Sequence, residues 1–101
     1  MELADVADDL TEVLLTETQI HDKIAELARR VEQDYAGERP LLVGVLKGAV
    51  MVMADVAREL KMHVDIDFMA VSSYGASTES SGVVRILKDL DADLKGRHVI
   101  I

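Results

Sequence analysis

The chain has 101 residues, of which half are apolar and 30% are charged, with a formal net charge of −8 and no cysteine. This composition is typical of one globular domain or part of one, and it argues against intrinsic disorder. The acidic balance disfavours binding to nucleic acid or to anionic membranes, and the absence of cysteine excludes disulfides and thiol chemistry.

No targeting or membrane-spanning segment is apparent. Residues 1–10 are acidic and lack the basic and apolar regions of a signal peptide, and the apolar runs are too short to cross a bilayer. A soluble, cytoplasmic protein is therefore expected.

The first predicted elements are a short strand and a helix. Residues 12–15 (EVLL) have the apolar character of a small strand. Thr16 and Gln19 form the T-x-x-Q pattern of a capping box, which predicts a helix start. The helix should end near Gly37 and Pro40. Its apolar stripe has helical spacing and consists of Ile20, Ile24, Leu27, Val31 and Tyr35.

A strand, a helix and a second strand follow. Residues 41–46 (LLVGVL) form a continuous apolar run, as in a strand buried on both faces of a parallel sheet. Residues 49–60 are apolar almost all round and predict a largely buried crossover helix. Residues 62–71 alternate with the period of a strand. Together they predict a right-handed βαβ unit.

Residues 72–82 (SSYGASTESSG) are small and polar, and they predict a long mobile loop, here called the lid loop. Residues 83–87 and 98–101 are further strand candidates, joined by a polar connection over residues 89–95. We expect the chain to be part of a longer domain, because it stops inside its last predicted strand.

The best candidate site is the turn of Lys47 and Gly48, between a buried strand and the start of a helix. Ligands of open α/β sheets gather at this edge, and a helix start favours phosphate. Lys47 adds a positive charge, and Gly48 would let the backbone approach an anion closely. A solvated lysine beside a turn glycine is the alternative.

Two other groups have weaker support. Ser73, Tyr74 and Gly75 could close over a substrate, but they also fit a surface loop carrying one aromatic residue. Asp65 and Asp67 share one face of a predicted strand and could bind a metal together. Pairing with neighbouring basic groups, or simple exposure to water, is more usual for such carboxylates.

Three segments together carry a specific resemblance. VGVLKGAVMVMADVAREL, DIDFMAVSSYG and RILKDLDADLKGRHVII resemble, in order and spacing, the first half of bacterial hypoxanthine–guanine phosphoribosyltransferases. The similarity covers residues 12–101. It implies an α/β fold of the type I phosphoribosyltransferase kind, a parallel sheet flanked by helices, of which the chain is the amino-terminal βαβ portion with part of a hood.

The resemblance also implies an activity. The family transfers the phosphoribosyl group from phosphoribosyl pyrophosphate to hypoxanthine or guanine with Mg²⁺, giving IMP or GMP and pyrophosphate. Its Leu-Lys-Gly loop holds pyrophosphate, often with a cis peptide, which carries onto Lys47 and Gly48. Its flexible loop carries onto Ser73, Tyr74 and Gly75. The family enzymes are commonly dimers or tetramers.

The family's catalytic Asp and its metal ligands correspond to positions beyond Ile101, so the resemblance implies no catalytic or metal-binding residue in this chain. We therefore expect one truncated domain, with residues 1–16 as lead-in and hood strand and residues 17–101 as the first part of the core. The isolated chain should lack normal activity. A relative specific for another base such as xanthine, or a non-catalytic nucleotide-binding or assembly module, remains an alternative.

Overall fold

The computed structural model of the protein describes residues 1–73 and 84–101. Two single 3-10 turns, Leu3–Asp5 and Ala7–Asp9, precede the first long helix. The helices and strands that follow are α1 (Glu17–Asp34), β1 (Leu41–Val45), α2 (Val50–Glu59), β2 (Asp65–Ser73), β3 (Val84–Lys88) and β4 (Val99–Ile100).

The strand predicted over residues 12–15 is absent, so that prediction is wrong. These residues form bends and irregular backbone, and Leu14 and Leu15 are largely exposed. A strand is stable only beside another strand that satisfies its amides and carbonyls. None of the described strands pairs with residues 12–15, so their apolar composition alone does not make them extended.

Helix α1 begins with the predicted capping box. The Thr16 Oγ1 accepts a hydrogen bond from the Gln19 amide at 3.1 Å, and the Gln19 side chain accepts one from the Thr16 amide at 2.8 Å. These bonds satisfy two backbone donors near the helix start. The apolar stripe buries Ile24, with Ala28 beside it, against the rest of the protein.

Replacing Thr16 with Ala should lower the free energy of unfolding by about 1 kcal/mol, because an amide at the helix start loses its acceptor. Urea unfolding followed by circular dichroism would measure this. Thr18, exposed in the same turn, is the matched control, and Thr18→Ala should leave stability unchanged or slightly higher. Equal unfolding free energies for Thr16→Ala and the unmodified chain would contradict the capping role.

The four strands form one mixed sheet in the order β3-β2-β1-β4. Strand β1 pairs in parallel with β2 on one side and with β4 on the other. Strand β3 is antiparallel to β2, with an irregularity between Ala70 and Val71. The sheet is therefore parallel only in part, because β2 and β3 are neighbouring strands that run in opposite directions, as in a hairpin.

Both helices contribute to a small core on the face of the sheet that carries Leu42. Ala28 of α1, Leu42 of β1, Met53 of α2 and Leu60 form its buried centre. The prediction that α2 is largely buried is wrong, because Met53 is its one buried residue. Val52 is 53% exposed, so this apolar helix packs against the sheet and α1 but leaves part of its surface exposed within the described residues.

Candidate functional site

The order of the strands favours a ligand site at the carboxyl end of β1. The chain leaves β1 through α2 towards β2 on one side, whereas β4 lies on the other side. Ligands of open α/β sheets bind where the connections diverge in this way. The turn of Leu46, Lys47 and Gly48 follows β1 directly and therefore lies at this position.

On the other side of this position, β4 ends before β1 does. Ile100 of β4 is level with Leu42, three residues before the end of β1 at Val45. Three residues of strand correspond to a difference of about 10 Å. The groups that this chain offers to a ligand at this position therefore come from the β1 side.

Lys47 and Gly48 are both exposed in this turn. The peptide bond between Leu46 and Lys47 is cis, as the family resemblance implies. The Leu46 amide donates to the Met69 carbonyl at 2.8 Å, which ties the turn to β2. The Val50 amide donates to the Lys47 carbonyl at 3.1 Å, so α2 begins directly after the turn.

The turn has the electrostatic character of an anion site. No side chain caps the start of α2, and its first turn contains no acidic residue. Within the described residues, the amides of Lys47, Gly48 and Ala49 donate to no backbone carbonyl. A helix start with free amides and a neighbouring ammonium group suits a phosphate oxygen.

Gly44 determines how closely α2 approaches the sheet. A Cβ atom at Gly44 would lie 2.9 Å from the Met53 Cε and 3.1 Å from two atoms of the Phe68 ring. A Cβ atom at Gly48 would meet nothing within 4 Å. The packing of α2 on the sheet therefore requires glycine at Gly44, and the approach of an anion to Gly48 stays a prediction.

The predicted lid loop falls mostly outside the described residues, including Tyr74 and Gly75. The predicted start of the loop at residue 72 is wrong, because β2 continues through Ser73. The backbone of Ser73 pairs with that of Val84. Val45 pairs with Met69, and β2 runs four residues further. The β2–β3 hairpin therefore extends past the same sheet edge that carries Lys47.

Asp65 lies at the opposite edge of the sheet and forms ion pairs. Its carboxylate accepts from Arg39 at 3.0 Å and from Arg97 at 2.8 Å. The hydrogen bond from Arg39, followed by that from Arg97, lowers the pKa of Asp65 below its usual range. The carboxylate thus ties together the segments that lead into β1, β2 and β4.

Asp67 is buried and holds backbone amides. Its carboxylate accepts from the amide of Asp91 at 2.8 Å, from that of Ala92 at 2.9 Å and from that of Phe68 at 2.8 Å. The Lys88 ammonium group lies 3.9 Å away. The bond from Ala92, then that from Phe68, lowers the pKa of Asp67.

Asp67 therefore anchors the connection between β3 and β4 on the face of the sheet opposite the helices. This role of Asp67 could not be predicted, because the strand pattern shows that Asp65 and Asp67 share a face but does not show what covers it. Asp65 pairs with basic groups, as the more usual interpretation expected, whereas Asp67 bonds mainly to backbone amides.

Within residues 1–73 and 84–101, no group of three or more His, Asp or Glu side chains is arranged to hold a metal ion. Neither helix in this part of the chain is long and apolar enough to cross a membrane.

Comparison with known families shows which family the chain belongs to. Residues 12–101 match the family described as "Phosphoribosyl transferase domain". The chain belongs to the phosphoribosyltransferase family. The Lys47 turn at the carboxyl end of β1 is thus part of a phosphoribosyltransferase fold.

Individual relatives agree with this assignment. Hypoxanthine-guanine phosphoribosyltransferases of Mycobacterium tuberculosis and Streptococcus agalactiae are each 52% identical over 92% of this chain, which covers 49% and 52% of their lengths. The crystal structure of a hypoxanthine phosphoribosyltransferase from Staphylococcus aureus superimposes with a TM-score of 0.87 and 43% identity. That match covers 94% of this chain and 52% of the S. aureus chain. This phosphoribosyltransferase chain spans about half the length of the curated relatives it matches.

Proposed function

We propose that this chain provides the pyrophosphate-binding half of a purine-salvage phosphoribosyltransferase. The complete enzyme would transfer the phosphoribosyl group of phosphoribosyl pyrophosphate to hypoxanthine or guanine, releasing pyrophosphate with IMP or GMP. The proposal rests on the exposed Lys47–Gly48 turn. This turn follows β1, at the point where the chain leads to β2 on one side and β4 lies on the other. The names of the matched relatives support the choice of base.

The role proposed for Lys47 is electrostatic. Its ammonium group and the free amides at the start of α2 would neutralise the charge on the diphosphate as it leaves. Gly48 would keep that backbone open to the anion, in agreement with the empty space around it. Ser73, Tyr74 and Gly75 would close over the bound substrate and exclude water from the reacting carbon.

Magnesium is part of the proposal for the complete enzyme. The described residues provide no ligand set for it, since Asp65 is held by arginines and Asp67 by backbone amides. A cytoplasmic location and a homo-oligomeric assembly, dimeric or tetrameric, also belong to the proposal.

Inorganic pyrophosphate is the probe that tests Lys47. The unmodified chain should bind it, and Lys47→Ala should weaken binding about tenfold or more, because one charge-assisted hydrogen bond is lost. Titration calorimetry at fixed ionic strength would measure both affinities.

The matched control is Lys95→Ala, since Lys95 is also exposed but lies before β4, at the opposite edge of the sheet. It should change the affinity by less than about twofold, because a distant exposed charge is screened by salt. Equal pyrophosphate affinities of the Lys47 and Lys95 variants, or no binding by the unmodified chain, would contradict the assignment.

A further inference from the structure

Phe68 is a residue of β2 whose backbone lies beyond the end of the neighbouring strand β3. Its neighbour Met69 bonds to the β1 side, so the amide and carbonyl of Phe68 face the β3 side. Strand β3 ends at Lys88, which pairs with Ala70, and it does not reach Phe68. Backbone groups inside a sheet need hydrogen-bond partners, and β3 supplies none at this position.

Two side chains act as these partners. The Asp67 carboxylate accepts from the Phe68 amide at 2.8 Å, and the Lys88 ammonium group donates to the Phe68 carbonyl at 2.9 Å. The ammonium group lies 3.9 Å from the Asp67 carboxylate, donates to the Asp89 carbonyl at 3.0 Å and reaches the Asp91 carboxylate at 3.5 Å. Asp67 and Lys88 together therefore bond Phe68 as a further residue of β3 would.

A bulge in β3 precedes Lys88. Ala70 pairs with Lys88 while Val71 pairs with Ile86, so one step along β2 corresponds to two steps along β3, and Leu87 is the additional residue. A bulge changes the direction of the strand and of the side chains beside it. The direction in which the Lys88 side chain leaves β3 is thus set by a specific feature of the backbone.

On the β1 side, residues 68–69 contact the end of the strand that leads into the Lys47 turn. The Met69 carbonyl accepts from the Leu46 amide at 2.8 Å. The Phe68 ring lies against Gly44, where a Cβ atom would be 3.1 Å from two ring atoms. The position of residues 68–69 therefore affects the position of the turn.

Direct attraction between Lys88 and an anion at the Lys47 turn would contribute little. Lys88 is on β3, and two strand spacings separate β3 from β1, a distance of about 10 Å. Salt screens most of the interaction between exposed charges at this separation. The carboxylates of Asp67 and Asp91 also lie beside the ammonium group and offset its charge.

We infer that Lys88 is a positioning residue for the Lys47 turn and acts through residues 68–69 of β2. This inference rests on the proposed function, because the turn is the group that would bind pyrophosphate. Without the ammonium group, the Phe68 carbonyl loses its donor and this part of β2 can move. The Met69 carbonyl would move with it and hold the Leu46 amide less firmly.

Lys88→Met keeps a long side chain but removes its charge and its donors. It should weaken pyrophosphate binding about fivefold, and the ratio should persist at higher ionic strength, because the loss comes from geometry. The Leu46 amide should exchange faster relative to global unfolding. Lys88→Arg can still donate to the Phe68 carbonyl and should bind within about twofold of the unmodified chain. Titration calorimetry and hydrogen exchange would measure these effects.

Lys95→Met is the matched control, because it removes the same charge from an exposed lysine at the opposite edge of the sheet. It should change the pyrophosphate affinity by less than about twofold and leave the exchange of the Leu46 amide unchanged. The Lys88 side chain is 42% exposed, so Lys88→Met should still fold, which circular dichroism would verify. If it does not fold, Lys88→Gln replaces it with the same expectations.

The outcomes separate this inference from the proposed function. If binding depends on Lys47 but is equal in Lys88→Met and Lys95→Met, the positioning role is overturned and the function of the turn stands. A loss in Lys88→Met that disappears at high ionic strength, with unchanged exchange at Leu46, would also overturn it in favour of a direct effect of charge. No binding by the unmodified chain would count against the proposed function. Exchange at Leu46 would then decide the link from Lys88 to the turn, since faster exchange in Lys88→Met supports it and unchanged exchange overturns it.

Discussion

Replacing Gly44 with Val should lower the free energy of unfolding by about 3 kcal/mol, the upper end of the usual cost of overpacking a core. The Cβ atom alone would lie 2.9 Å from the Met53 Cε and 3.1 Å from the Phe68 ring. The end of the flexible Met53 side chain can move, whereas the Phe68 ring is rigid and has only two side-chain torsions with which to move away. The two additional methyl groups of Val would push α2 away from β1, which is the contact that places the Lys47 turn.

Gly48→Ala is the matched control for Gly44→Val, because the space around Gly48 is empty and its backbone is not left-handed. Its free energy of unfolding should lie within about 0.5 kcal/mol of the unmodified chain. Urea unfolding followed by circular dichroism would compare the variants. If Gly44→Val and Gly48→Ala are equally stable, α2 does not pack against the sheet as closely as described.

The elements with local signals are the ones that could be predicted from sequence. The Thr16–Gln19 capping box, the apolar stripe of α1 and the continuous run of β1 each depend on neighbouring residues. The βαβ unit followed from these elements, since short links leave few arrangements. The candidate turn at Lys47 could be located for the same reason.

The features that were missed depend on residues far apart in the chain. Residues 12–15 are apolar enough for a strand but lack a partner among the described strands. Strand β3 is antiparallel because it returns beside β2, which composition does not encode. The exposure of α2 depends on which elements cover its outer sides, and the burial of Asp67 depends on the connection that crosses it.

Acid should destabilise the chain below about pH 4, and Asp67 should be one of the residues responsible. The folded state holds the pKa of Asp67 below its ordinary value of 3.8, first through the Ala92 amide and then through the Phe68 amide. A carboxyl group with a lowered pKa stabilises the folded state above its unfolded pKa. That contribution is lost as the pH falls through the lower, folded value.

Asp67→Asn should therefore lower stability at about pH 7 and flatten its decline between about pH 5 and pH 3, because one acid-sensitive contact is already removed. Asp22→Asn is the matched control, since Asp22 is exposed on α1 and makes no ion pair with another described residue. It should keep the slope of the unmodified chain. Urea unfolding across the pH series would compare them.

Hydrogen exchange locates the effect of Asp67 in the structure. In Asp67→Asn the amides of Asp91 and Ala92 should exchange faster, because the uncharged Asn oxygen accepts hydrogen bonds more weakly than the carboxylate does. The Gln19 amide, bonded to Thr16 on α1, should exchange at an unchanged rate relative to global unfolding. If the pH slopes of Asp67→Asn and Asp22→Asn coincide while Asp91 and Ala92 stay protected, the connection to β4 is held by its packing and not by this carboxylate. The register between β1 and β4, and with it the position of β4 relative to the Lys47 turn, would then have a different origin.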